Sequence, residues 1–266
     1  MHYLCFRAAN GRGVQDYTLE DFEQEILPKL NAAGIQIASI GSPIGKIDIR
    51  DDEAYQQQLE LLERFCQMAQ RAKCRLIRMF SFFMPEGERP EIYKEQVIEK
   101  LRGFIDIAKR YDVLLIHENE KDIYGDIPER CLEIHQALDA PHFKAAFDFA
   151  NFVQCGADPL HGYELLANYV AEIHIKDALK SDQSNVLCGT GDGHIQELLG
   201  RFFKEKNYEG FLTLEPHLVE FSTLKALEHK PEDVVREADV DGAGVKAFKA
   251  QCQALREILA QLGERA

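Results

Sequence analysis

Seven short apolar runs punctuate the chain, at roughly residues 2–6 (HYLCF), 36–40 (QIASI), 75–81 (RLIRMFS), 113–118 (VLLIHE), 145–149 (AAFDF), 171–176 (AEIHIK) and 211–215 (FLTLE). Amphipathic stretches lie between them. Thr18 and Asp21 have the spacing of a capping box, and Leu19, Phe22, Ile26 and Leu30 then repeat at helical intervals, with Pro28 placed to kink or shorten that helix. A second helix is predicted over about 53–73, with Leu59, Leu62, Phe65, Met68 and Ala69 on one side. A third begins near Glu91 and carries Val97, Leu101, Phe104, Ile105 and Ala108. Shorter helices follow near 128–138, 160–169 and 194–206, and a long one near 244–262. Strand alternating with helix throughout predicts an α/β fold with a parallel sheet.

Four polar residues interrupt four successive apolar runs near their carboxyl ends: Glu118, Asp148, His174 and Glu215. They are separated by roughly 25–40 positions, about one strand–helix–strand unit each. A strand covered on both faces is nearly continuous Val, Ile, Leu and Phe, so an imidazole or carboxylate within one carries a desolvation cost that calls for a reason. Three carboxylates and a histidine converging at one end of a parallel barrel would form a divalent-metal site. The competing account, that each merely caps a helix or pairs with an arginine, must hold four times over.

Length and composition narrow the classes. A chain of 266 residues suits one large α/β barrel, and no Pro/Gly/Ser-rich stretch marks a linker, so one domain over 1–266 is expected. No run of about 18 apolar residues exists to cross a membrane, and the start lacks the pattern of a signal peptide, which predicts a cytoplasmic protein without a membrane partner. The seven cysteines include no CxxC pair and read as reduced, mostly buried small hydrophobes. A net charge of −14 opposes nucleic-acid binding, whose affinity comes from cations set against phosphates.

GSPIGKIDI at 41–49, HENE at 117–120, FDFANF at 147–152, HIKD at 174–177, CGTGDG at 188–193 and YEGFLTLEPH at 208–217 resemble, in order and spacing, the sugar phosphate isomerase/epimerase family with its xylose isomerase-like TIM barrel. The resemblance runs from Tyr3 to about Phe221. It implies a (β/α)8 barrel and one divalent metal held by Glu118, Asp148, His174 and Glu215. Only seven strands are visible in the chain, so the first strand–helix unit is expected to be missing relative to the family, and a homodimer would cover the open barrel edges.

Hard oxygen donors with one imidazole suit Mn2+ first, with Mg2+, Co2+ or Zn2+ as alternatives. The implied activity is isomerisation or epimerisation of a keto-sugar or sugar phosphate through an enediolate, with Glu118 and Glu215 as the proton-transferring pair. Strand alternation places Lys176 on the side of His174, and His217 on that of Glu215 if Pro216 leaves the strand regular. Both are candidate substrate contacts, with a rim salt bridge as the plain alternative. His117 should face a helix as a packing histidine. Asn151 stands where several epimerases of the family have a histidine; it can hydrogen-bond substrate but cannot titrate. Arg7 or Arg12 could meet an anionic substrate, although a solvated turn accounts for both. CGTGDG matches neither the dinucleotide fingerprint nor a P-loop and is expected to be an approach loop, with phosphate binding as the alternative. Two other readings stay open: a metal-dependent lyase or dehydratase on a keto-sugar, keto-inositol or keto-glycoside, and a non-catalytic sugar-binding barrel.

Overall fold

The computed structural model describes residues 2–215, 217–218 and 243–264; Pro216 and Phe221, at the carboxyl end of the resembling stretch, lie outside these. Seven strands form one sheet in chain order: β1 Tyr3–Phe6, β2 Gln36–Ile40, β3 Leu76–Met79, β4 Leu114–Glu118, β5 Phe143–Asp148, β6 Val170–Ile175 and β7 Phe211–Leu214. The pairings β1–β2, β2–β3, β3–β4 and β6–β7 are parallel, with helices in the connections between consecutive strands. The chain divides into two compact units, the first comprising Met1–Glu118, Asp122–Gly125 and Glu133–Ala145, the second Asn119–Lys121, Asp126–Leu132 and Ala146–Ala266.

In the first unit, the helix Asp52–Ala72 begins where the Asp51 side chain accepts the Ala54 N–H and ends at Lys73, whose φ of 55° stops the spiral. Its face of Leu62, Phe65, Cys66, Met68 and Ala69 is buried, as is the face of Val97, Leu101, Phe104, Ile105 and Ala108 on the helix Lys94–Tyr111. The two helices are tied by the Tyr55 hydroxyl, which donates to the Lys100 carbonyl at 2.8 Å. The third helix therefore starts three residues later than the sequence predicts, because Pro90–Tyr93 forms a 3-10 turn. The Thr18–Asp21 capping box forms, with Asp21 N–H donating to Thr18 Oγ1 at 3.0 Å. The irregularity expected at Pro28 appears one turn earlier, as a π-helical stretch over Phe22–Ile26 that leads into Leu27–Ala32. A prolyl nitrogen cannot donate to the preceding turn, and the wider turn accommodates that loss.

The second unit packs around an aromatic group in which Phe202 meets Phe147 at 5.5 Å and Tyr163 at 4.8 Å, both edge to face. The closing helix Ala243–Leu262 packs on Ile195–Lys206. Its buried Gln251 accepts the Cys188 N–H at 2.8 Å. One strand boundary differs from the sequence reading: Phe149, expected to end β5, instead opens the short helix Phe149–Gln154. All seven cysteines are free thiols. No helix among the described residues is long and apolar enough to cross a membrane.

Candidate metal centre

The site builds from the ends of β5, β6 and β7 within the second unit. Asp148, the last residue of β5, caps the following helix by accepting the Asn151 N–H at 2.8 Å on Oδ1. Its Oδ2 faces away from that cap and lies 3.1 Å from Lys176 Nζ. His174 on β6 is paired in register with Thr213 on β7, and its Nδ1 lies 3.6 Å from Oε1 of Glu215, the residue directly after β7. One ligand atom from each of Asp148, His174 and Glu215 lies within 4.8 Å of the other two, and all three residues are buried.

Around this trio, Lys176 Nζ donates to Asn151 Oδ1 at 2.7 Å and lies 4.0 Å from Glu215 Oε2. His217 Nε2 approaches the same Glu215 oxygen at 3.3 Å. The structure places Asn151, Lys176 and His217 beside the trio; strand alternation bears on Lys176 and His217 only. Asn119, not singled out in the sequence, exchanges two hydrogen bonds of 3.0 Å with the Asp148 backbone and accepts Asn151 Nδ2 on its carbonyl at 2.8 Å. Its signal is its place directly after the end of β4 in HENE, which alone says nothing of a partner on β5.

These residues fit a divalent cation. Asp148, Glu215 and Glu172, all buried, bring three carboxylates together beside the ammonium of Lys176, and added positive charge is favoured where buried carboxylates gather. The donors, carboxylate oxygens with one imidazole nitrogen, are those that Mn2+, Mg2+, Co2+ and Zn2+ accept.

In the first unit, Glu118 ends β4 with its carboxylate 3.0 Å from the guanidinium of Arg78 on β3, and both side chains are buried. Arg78, missed in the sequence reading, also lies 4.9 Å from the Phe80 ring centre. Arg7 is half-buried beside a short ladder formed by Ala8–Ala9 and Arg12–Gly13. Arg12 braces the first helix, donating to Asp21 at 2.8 Å with its guanidinium over the Tyr17 ring. His117 is the packing histidine expected, its Nε2 2.9 Å from Ser81 Oγ and its ring 6.2 Å from that of His135 on the helix Pro128–Leu138.

Burial pushes His117 down to about 4, and His135 well below the ordinary imidazole value. Above the ordinary value neither folded nor unfolded chain takes up these protons. Below it only the unfolded chain does, so stability falls as pH falls from about 6.5 toward 4. The His117 contribution is expected to be about 2 kcal/mol between pH 7 and pH 5. Urea unfolding of chelator-treated protein at the two pH values measures it. His117→Gln, which cannot titrate, should flatten the dependence; an unchanged dependence would refute the assignment.

The CGTGDG loop folds inward onto a carboxylate. Its backbone N–H groups are spent internally: Asp177, fully buried after β6, accepts Gly189 and Gly191 on Oδ2, each at 2.9 Å, and Gly193 on Oδ1 at 3.0 Å. Its own neighbour Ala178 supplies a fourth N–H, also at 3.0 Å to Oδ1. Burial pushes the Asp177 carboxyl up, and these four donors pull it back. A β-carbon on Gly191 would lie 2.5 Å from both Asp177 Oδ1 and the Ala178 carbonyl, which is why the wrap needs glycine. An internal carboxylate therefore takes the place that a bound phosphate would have.

Comparison with known proteins agrees with this architecture. A curated relative, 3-dehydroshikimate dehydratase from Bacillus anthracis, is 19% identical over 194 residues, spanning 71% of this chain and 69% of the relative. Among solved structures, IOLI protein with a binding zinc atom superposes with a TM-score of 0.72 at 14% identity, covering 98% of this chain and 88% of that one. The 3-keto-D-glucoside 4-epimerase of E. coli gives 0.62 at 16% identity, covering 92% and 84%. The model of the xylose isomerase-like TIM barrel family matches residues 5–240, and the chain belongs to that family.

Proposed function

We propose that this protein is a divalent-metal-dependent isomerase or epimerase of a keto-sugar or sugar phosphate. The observation that carries the reading is the buried trio of Asp148, His174 and Glu215 at the ends of three successive strands, with Lys176 beside it. Glu118, a buried carboxylate at the end of the preceding strand in the sheet, is the fourth proposed ligand. A cation bound there supplies Lewis-acid polarisation of a carbonyl and its neighbouring hydroxyl. Mn2+ is the ion proposed first.

The chain's own groups divide the remaining work. One of Glu118 and Glu215 removes the proton from the carbon next to the carbonyl, giving an enediolate, and the other returns a proton to the opposite face, which inverts the carbon. Asp148 cannot leave its place, since its Oδ1 is committed to the helix cap. Lys176, at hydrogen-bond distance from Asn151, and His217, at the rim with its imidazole on Glu215, are proposed to hold substrate oxygens, with Asn151 orienting Lys176 or a hydroxyl directly. Arg7 is a proposed further contact for an anionic substituent. A homodimer is proposed as the working form.

The identity of the curated relative favours a second reading, in which the same proton abstraction is followed by loss of a β-substituent, as in a dehydratase. Metal analysis of gently purified protein, followed by incubation of keto-sugars in deuterated water, separates the readings. About one divalent ion per chain and deuterium at the α-carbon without elimination are expected for the epimerase. Elimination of water or an aglycone would transfer the assignment to the lyase. Substrate binding with neither exchange nor elimination would leave a sugar-binding barrel.

A further inference from the structure

A fully buried carboxylate two residues before His174 is not among the proposed ligands. Glu172 lies on the same side of β6 as His174, because side chains two apart in a strand share a face, and both residues are fully buried. The imidazole stands between two carboxylates: Nδ1 is 3.6 Å from Glu215 Oε1, and Nε2, across the ring, is 3.7 Å from Glu172 Oε1. The Glu172 carboxylate is itself anchored, since the hydroxyl of Thr213, the register partner of His174 on β7, donates to the same Oε1. If β6 needed only to pack here, an aliphatic side chain would fill the position without the several kcal/mol that desolvating a carboxylate costs.

We propose that Glu172 is a positioning residue that holds the neutral imidazole of His174 with its proton on Nε2, leaving the Nδ1 lone pair turned toward the cation site beside Glu215; the inference rests on the metal-site reading above. The two ring nitrogens of a neutral imidazole have opposite roles, one donor and one acceptor; both face a carboxylate here, but Glu215 is proposed to bind the cation together with Nδ1, which leaves Glu172, anchored by Thr213, as the acceptor for the Nε2 proton. Metal-binding histidines are commonly held in this way, and the outer carboxylate raises the basicity of the ligating nitrogen. Thr213 prevents the carboxylate from swinging off the ring. The arrangement thus extends over two adjacent strands, β6 supplying ring and carboxylate and β7 the hydroxyl that fixes them.

The first measurement is the 15N spectrum of histidine-labelled, metal-free protein near neutral pH, with the His174 signals assigned by their absence from His174→Gln. Wild type should show His174 as the Nε2–H tautomer; the Nδ1–H tautomer would overturn the proposal. The second is the affinity for Mn2+ and Zn2+ from chelator competition. Glu172→Ala should weaken binding about 10–100-fold, and Glu172→Gln, which keeps an acceptor oxygen, should recover most of the loss. Unchanged affinity in the alanine variant would likewise overturn it. Should the alanine variant not fold, the wild-type tautomer and the glutamine variant still decide the matter. Wild type that takes up no metal would defeat the metal-site reading, while the tautomer would still decide the role of Glu172.

Discussion

Asp148→Ala is expected to abolish stoichiometric metal binding. The substitution removes the one proposed ligand that is held rigidly from both sides: Oδ1 by the Asn151 N–H and the backbone by the two bonds from Asn119. It also removes a helix cap, for about 1 kcal/mol, and takes a carboxylate from the buried Lys176. A second variant separates these losses. Asp148→Asn keeps an oxygen for the cap, since asparagine caps helices as well as aspartate, but withdraws the negative charge from the site. Metal content should therefore fall in both variants, while the urea midpoint should fall chiefly in the alanine variant. Full metal occupancy in Asp148→Asn would show that this carboxylate is structural and would remove the central ligand from the proposed function.

Asp177→Ala is expected to cost about 3 kcal/mol or more of stability, a large share of what a folded domain has. Four backbone donors would lose a shared acceptor, and hydrogen bonds to a charged group are the stronger kind, at roughly 1.5–3 kcal/mol each before the loop relaxes into water. Even Asp177→Asn should be costly. Each carboxylate oxygen takes two N–H groups, so an amide NH2 in either orientation would confront two donors with a third. Urea unfolding should place the asparagine variant between wild type and alanine, and limited proteolysis should cut first within residues 185–193 in both. Gly191→Ala should resemble them, through the close contact of its new β-carbon with the same carboxylate. Stability equal to wild type in Asp177→Asn would mean that the loop is held by something other than this anion.

The polar exceptions in the apolar runs were legible because burial makes them conspicuous. Asp148, His174 and Glu215 stood out at strand ends, and alternation alone put Lys176 beside His174 and His217 beside Glu215. What stayed hidden depends on partners distant in sequence or on turns too short to show a period. AAFDF reads as strand as far as Phe149 because a helix of six residues shows no period of its own, and the Asp148 side chain, accepting from the Asn151 N–H, turns the chain there. Asp177 looked like one more charge after a strand, since the glycines that wrap it come 12 to 16 positions later. Glu172 and Arg78 were passed over as interruptions of apolar runs, although each is a buried charge of the kind used to pick out Glu118, Asp148, His174 and Glu215.

Lys176 bears on how the proposed site would come to hold a metal. Its ammonium is a covalently attached cation among the carboxylates of the trio, so part of their mutual repulsion is offset before any ion arrives. A metal would then be loaded onto a folded chain rather than serve as the nucleus on which the chain folds, in contrast to small zinc domains whose binding energy is their folding energy. Chelation should accordingly return a cooperative protein whose melting temperature rises again with the logarithm of added free metal, as ordinary ligand linkage requires.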